Sequence, residues 1–358
     1  MIGDVATTSH NAEHLRALHA AWREYDDGRA VTGVVEVSAN VSTNQVYRLE
    51  LDDGGSVIAK VSSYGSYFLF AEDHDRLYRC TSLLEGTRFA GFLAGVLGRD
   101  GRPFTWYDGT LWVAFYEEVH RADSLPRTLT DDQIDCLGRE MAEFHLECAR
   151  IAHHLPPTSN SVKSDAIHLL DQLESAFAPR NFDLPPEYIG VLHRHTHDFL
   201  LNLERVRYDE WARIPVLVDW NLGNFSVVFA DDGTFRLFSR WDYDWFRIEP
   251  RMHDFYFLSR VSSATGDRTQ FTYSSHTLVE PRFERFIRAY HAVNPLSEDD
   301  IRFLPEAYRF FLLNYVIREG ARFFRSDYCE RFRRESARVY LPGLERLDIT
   351  PLLRAIGA

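Results

Sequence analysis

Residues 31–61 alternate between apolar and polar side chains and are rich in valine: VTGVVEVSA, NQVYRLELD and GSVIAKVSS follow one another, with Asp-Asp-Gly-Gly at 52–55 between the last two. A period of two sends successive side chains to opposite faces of a sheet, and a glycine-containing turn of this length joins neighbouring strands as a hairpin. Three antiparallel strands are therefore predicted. Over 72–97 the period changes. Leu77, Leu83, Leu84, Phe89, Phe92, Leu93 and Leu97 recur at roughly helical spacing with a break near Gly86, which predicts one or two helices, the second being GTRFAGFLAGVL. A second hairpin follows in TWYDGTLWVAFYEEV, turning at Asp108-Gly109 and ending in the apolar strand LWVAFY.

The polar stretch HRADSLPRT then marks a boundary, which divides the chain into residues 1–118 and 119–358. Beyond it helix dominates. Thr130-Asp131 reads as a helix start, and Ile134, Leu137, Met141, Phe144 and Leu146 follow at helical spacing. Further helices are predicted near 164–177 and 186–206. IPVLVDWNLGNF then reads as a strand running into a loop, and NFSVVFA-DDG-TFRLFSRW as a hairpin. Three aromatic-rich C-terminal helices are expected within EPRMHDFYFL, PRFERFIRAYHAV and RFLPEAYRFFLLNYVIREGARFF. The fold class is accordingly α+β, and 358 residues exceed what one hydrophobic core usually serves, so two unequal lobes are expected.

Fifty-three acidic against 40 basic side chains give a net charge of -13, a field that repels phosphate backbones and anionic lipid, so nucleic acid is not an expected partner. A cationic small molecule would be attracted. Cys80, Cys136, Cys148 and Cys329 form no CxxC pair and read as buried thiols. No window approaches 18 uninterrupted apolar residues, and MIGDVATTSHNAEHL lacks a basic segment followed by an apolar one. No membrane partner is expected, and the location expected is the cytoplasm.

Three clusters carry candidate chemistry. Lys60 ends the strand VIAK, where an ammonium could reach nucleotide phosphates, and Glu85, in preference to Glu72, is the candidate acidic partner from the following helical stretch. In VDWNLGNF, Asp219 and Asn224 stand five residues apart in one loop. A carboxylate there can take the proton of an attacking hydroxyl while an amide oxygen binds a magnesium ion on the phosphates. WDYDWFRIEPRMHDF adds Asp242, Asp244, Glu249 and Asp254, oxygens that hard cations prefer, with Glu249 read as entering a helix and Asp254 as structural.

The order of strand lysine, helix glutamate, apolar strand, DxxxxN loop, hairpin and acidic cluster resembles the aminoglycoside phosphotransferase and choline kinase family. The resemblance spans nearly the whole chain, through N-QVYRLEL-DGG-VIAK, through LGREMAEFH against lG..lA.lH, and through VDWNLGNF against HGDxHxxN. It implies a protein-kinase-like two-lobe fold, ATP and Mg2+ as cofactors, and a small hydroxylated acceptor such as an aminoglycoside, an amino alcohol, homoserine or a sugar. By the same resemblance Asp219 is catalytic, Asn224 binds metal, and Lys60 binds phosphate. Asn44 belongs to the nucleotide loop, the backbone of Glu117, Glu118 and Val119 holds adenine, and His145 is structural.

The sequence also departs from the family. Leu217 and Val218 replace a histidine and a glycine, Asn221 replaces a second histidine, and no glycine lies between Gly33 and Gly54. Counted from the turn glycine Gly233, Arg240 falls where the metal-binding aspartate belongs, and a guanidinium cannot bind a cation. Three outcomes are open: Asp242 serves as the ligand through a small register change, Arg240 itself neutralises phosphate, or transfer is lost. The first is the one expected here. Asp244 and Trp245, within the aromatic run Trp241, Tyr243, Trp245 and Phe246, would suit a cationic acceptor, with core packing as the alternative. The function expected is an ATP-dependent phosphotransferase; the alternative is a catalytically silent module that binds a nucleotide or metabolite.

Overall fold

A computed structural model describes residues 3–25, 28–38, 45–63, 65–266 and 272–358; Asn44 lies outside them. Strands β1 (Val31–Glu36), β2 (Gln45–Leu51) and β3 (Ser56–Ser62) form the meander that the alternation predicts. With β4 (Thr105–Tyr107) and β5 (Trp112–Glu117) they make one antiparallel sheet in the order β1-β2-β3-β5-β4. The β2–β3 turn closes by Leu51 N to Gly55 O, 2.9 Å, and needs Gly54 at φ +82°, a left-handed conformation that costs glycine nothing.

The two faces of this sheet have different fates. Val57, Ala59 and Val61 of β3 join Tyr47, Leu49, Val113 and Phe115 in a core covered by α1 (Gly3–Tyr25). That helix was not anticipated from the sequence. Leu18, Ala21 and Trp22 fall on one helical face, and the Trp22 ring meets Phe115 edge-on at 5.2 Å. The period of two then turns Val46, Ile58 and Lys60 to the other face, with Val46 directly opposite Lys60.

Helix α2 (Tyr67–Leu84) buries Leu77, Cys80 and Leu84 in the core of the remaining chain. The second helix expected over GTRFAGFLAGVL does not form. Gly86, Gly91 and Gly95 each weaken a helix by about 1 kcal/mol, and the segment runs instead through turns, with Gly91 at φ +68°. Its backbone pairs elsewhere: Arg240 N donates to Phe92 O at 2.6 Å and Ala94 N to Arg240 O at 3.0 Å.

After residue 118 helices dominate: α3 (Asp131–Ile151), α4 (Val162–Glu174), α5 (Pro186–Arg205), α6 (Phe255–Ser262), α7 (Pro281–His291) and α8 (Glu298–Phe311). Thr130 caps α3, accepting from Gln133 N while the Gln133 side chain returns to Thr130 N. α3 and α7 touch at Gly138, where an added Cβ would lie 2.8 Å from both Ala289 Cβ and Phe286 O. Gly138→Leu is therefore expected to destabilise the protein by about 3 kcal/mol or more, read from urea denaturation; an unchanged midpoint would show that the two helices can separate. All four cysteines are buried and unbridged, and no helix among the described residues is long and apolar enough to cross a membrane.

Two short strand pairs interrupt the helices. β6 (Ile214–Val216) pairs with β9 (Arg247–Glu249), and β7 (Phe225–Phe229) with β8 (Phe235–Arg240). Glu249 thus ends a strand instead of entering a helix. It is buried, its carboxylate accepting from Val162 N at 3.0 Å and Tyr208 OH at 2.9 Å.

Candidate active site

The loop after β6 is held from behind. Buried Asp254 accepts from Leu217 N (3.0 Å) and Val218 N (2.6 Å) through Oδ1, and from His145 Nε2 (2.9 Å) through Oδ2. His145 Nδ1 in turn meets Tyr290 OH at 2.8 Å. These bonds keep Val218 at φ +59°, a left-handed conformation that costs a β-branched residue about 1–3 kcal/mol. Val218 replaces the glycine of the resembling motif, so the turn survives although the residue suited to it does not.

The turn presents Asp219, half-buried, whose Oδ1 accepts from Asn221 Nδ2 at 2.5 Å and from Asn221 N at 3.3 Å. Asn221, where the motif has a histidine, orients the carboxylate. Asn224 N bonds Asn221 O at 2.9 Å, and its amide Nδ2 reaches Asp219 O at 3.4 Å.

Arg240 is fully buried. Its Nη2 donates to Asp219 O at 2.9 Å, and its guanidinium lies 4.7 Å from the Trp220 ring centroid. The residue that counting puts in the metal position is therefore turned into the protein, bracing the loop that carries Asp219. A bulge in β8 puts one extra residue into that count, since Leu237 faces Val227 but Ser239 faces Ser226, which moves the counted position from Arg240 to Trp241, one short of Asp242. The strand then stops at Arg240, and Asp242 follows at φ +69°, outside any strand, so it does not share the strand face of Arg240 as two regular steps would require. Burial, and then the charge of Asp242, push the Asp219 carboxyl up to about 7, with Arg240 opposing them.

A cavity of about 350 Å³ opens between the sheet and this loop. Val46, Ile58 and Lys60 line it from the sheet, Tyr116, Glu117 and Val119 from the end of β5, and Asn224, Asp242 and Asp244 from beyond the loop. Lys60, 9% exposed, contacts the Asp244 carboxylate and lies 3.9 Å from Asp242 Oδ1. Burial pulls the Lys60 ammonium below its ordinary pKa and Asp242 works against that.

No protein-family model matches the sequence, and no curated protein matches it. Solved structures do match. An aminopropanol kinase associated with a microcompartment aligns over 94% of this chain and 100% of its own, at 18% identity and a TM-score of 0.57. An amicoumacin kinase in complex with AMP-PNP, Ca2+ and Ami aligns over 93% of this chain and 98% of its own, at 14% identity and 0.59. The GDP complex of aminoglycoside 2'-phosphotransferase-IIIa aligns over 90% and 98%, at 15% identity and 0.54. This chain has a protein-kinase-like fold. The likeness is one of architecture, shared with kinases of the aminoglycoside phosphotransferase and choline kinase class.

Within the kinase-like fold the ion pair of Lys60 differs from the expected one. Glu85 caps the C-terminus of α2 and accepts from Gly91 N at 3.2 Å, and Glu72 pairs with Arg76 at 2.9 Å; Lys60 pairs with Asp244 and Asp242 instead. The α2 side chain that feels the Lys60 charge is His74, which burial pushes down to about 3, so it stays neutral beside the ammonium. Trp245 is not an exposed platform. It packs among Phe257, Phe311, Tyr315 and Phe323, with the Tyr315 ring 4.8 Å away. The face of Trp241 is covered by Arg121 at 4.3 Å, which leaves less room there for a cationic ligand. Asn221 and His74 are the site residues that residue-type reasoning did not select. Only the position of Asn221 two residues after Asp219 could have signalled a local side-chain bond.

Proposed function

We propose that the protein is an ATP-dependent phosphotransferase that moves the γ-phosphate to a hydroxyl of a small molecule. The observation that carries this reading is one cavity lined by Lys60 from the sheet and by Asn224 and Asp242 from the chain that presents Asp219. Residues 1–118 act as the nucleotide-binding lobe and 119–358 as the catalytic lobe. Val46, Ile58 and Ala94 offer adenine an apolar wall beside the backbone of Glu117 and Val119. Lys60 holds phosphate oxygens once it leaves Asp244.

One amide oxygen and one carboxylate suit a hard ion that takes its remaining oxygens from phosphates and water, so Asn224 and Asp242 fit Mg2+. When bound, the ion neutralises charge on the phosphates. Asp219, oriented by Asn221, accepts the proton of the acceptor hydroxyl as the new oxygen–phosphorus bond forms and the bond to the leaving ADP breaks. The purine nucleotides bound by two of the matched kinases support this cofactor. ATP as donor is consistent with work in the cytoplasm.

Only the ionised carboxylate accepts a proton, so turnover is expected to rise with pH through about 7 and level off above it. A pH profile of kcat/KM checks this, and a flat profile from pH 5 to 9 would contradict it. The second reading, a silent module that binds without transfer, is favoured by the hold of Asp244 on Lys60 and by Arg240 at the counted metal position. ATP turnover against a panel of amino alcohols, aminoglycosides and sugars separates the two. Phosphorylated product supports the enzyme, and magnesium-independent nucleotide binding with no product supports the silent module.

A further inference from the structure

A second cation lines the cleft together with Lys60. Arg121, two residues beyond Val119, has its guanidinium 4.3 Å from the Trp241 ring centroid. The stack is anchored at both ends. Trp241 N donates to Asn224 O at 3.0 Å. Beside Arg121 the backbone is pinned to β7, with Ala122 N reaching Ser226 Oγ at 3.3 Å and Asp123 exchanging two bonds of 2.9 Å with Val227. A flat guanidinium resting on an aromatic face keeps its N–H edge free to donate.

The charge of Arg121 is unmatched. Lys60 is met by Asp244 and Asp242, and Glu118 by Arg48 at 3.6 Å and by the Ser56 hydroxyl. Arg121 has neither an ion pair nor a hydrogen bond with any described residue, although the carboxylates of Glu117, Glu118, Asp242 and Asp244 line the same cavity. Its place is equally specific. In the proposed pose the purine meets the backbone of Glu117 and Val119, and the phosphates meet Lys60, Asn224 and Asp242. Arg121 follows Val119 closely in the chain, and its Trp241 platform directly precedes Asp242, so the guanidinium stands between the two ends, on the ribose side. Gly223, directly before Asn224, lines the cavity too. A Cβ added there would meet nothing within 4 Å, which leaves room for a group on the sugar.

We infer that Arg121 is a specificity-determining residue of the cleft, whose guanidinium receives a phosphate carried on the ribose, at the 2′ or 3′ position, of a purine nucleotide. A ribose hydroxyl would accept one hydrogen bond and leave the charge unmatched, whereas a phosphate accepts two in parallel and neutralises it. A nucleoside 2′,5′- or 3′,5′-bisphosphate has no γ-phosphate to transfer. Bound in the place of ATP, it holds the protein idle, so the cleft is open to control by this class of nucleotide. The inference rests on the nucleotide reading.

Calorimetric titration of the full chain with AMP, ADP, adenosine 2′,5′-bisphosphate and adenosine 3′,5′-bisphosphate in the presence of Mg2+ tests it, with AMP-PNP as the control ligand. One of the two bisphosphates binds one-to-one and about tenfold more tightly than AMP, the worth of a charge-assisted contact. Arg121→Gln brings that bisphosphate down to the affinity of AMP, and Arg121→Lys, which keeps the charge but loses the fork, retains part of the advantage. ADP carries its second phosphate at the other end, so its affinity relative to AMP is unchanged in both variants, and their AMP-PNP binding shows that they are folded. Bisphosphates that bind no more tightly than AMP, while AMP-PNP binds, overturn the inference and leave the nucleotide reading standing. An advantage that survives Arg121→Gln overturns the role of this residue. Failure of AMP-PNP and every other probe to bind the natural sequence overturns the nucleotide reading, and the inference with it.

Discussion

Asp219→Asn lowers kcat by about 10²–10⁴-fold, the contribution of a positioned general base, and leaves nucleotide affinity nearly intact. The substitution is almost isosteric, and an amide oxygen can still accept from Asn221 Nδ2, so the loop keeps its shape. What disappears is the carboxylate that burial and Asp242 hold near neutrality. Nucleotide affinity survives because Asp219 does not line the cavity shared by Lys60, Asn224 and Asp242. Single-turnover kinetics beside a nucleotide titration give both numbers. Unchanged turnover would remove Asp219 from its role, and a joint loss of turnover and affinity would mean that the loop had collapsed.

Asp254→Ala is expected to be the most damaging single change to stability, about 3–5 kcal/mol in urea denaturation, the range for removing one partner from a buried charged network. Three donors lose their acceptor together: Leu217 N, Val218 N and His145 Nε2. Each orphaned buried donor costs about 1–3 kcal/mol, partly recovered if water enters. Without that anchor Val218 can leave its left-handed conformation, so residual folded protein should also turn over poorly. A loss below about 1 kcal/mol would show that the loop is held by something other than this carboxylate.

These two sites differ in how far residue order alone reveals them. Asp219 and Asn224 are legible because a DxxxxN spacing after an apolar strand is a local pattern, and the sheet is legible because its alternation is local too. The partner of Lys60 is not local. Glu85 has the right chemistry at a helix end, yet the ammonium meets Asp244, more than 180 positions away, and no spacing rule links the two. The place of Asp242 was hidden for another reason: a bulge in β8 adds one residue that counting from Gly233 cannot see, and the chain then leaves the strand after Arg240, with Asp242 at φ +69°. Phe89, Phe92 and Leu93 imitate helical spacing because they are buried along a turn-rich segment zipped to Arg240, where periodicity reports burial and not helix. Helix α1 could have been found, since Leu15, Leu18, Trp22 and Tyr25 stand three and four apart.

The central claim, that sheet and loop together form a nucleotide site, is tested most directly by calorimetric titration of AMP-PNP with and without Mg2+, on the natural sequence and on Lys60→Ala. The account predicts one nucleotide per chain, tighter binding with the metal, and a loss of about 10–100-fold on removing the ammonium, the worth of a charge-assisted hydrogen bond. Nucleotide binding that ignores both the metal and Lys60, or no binding at all, would contradict it.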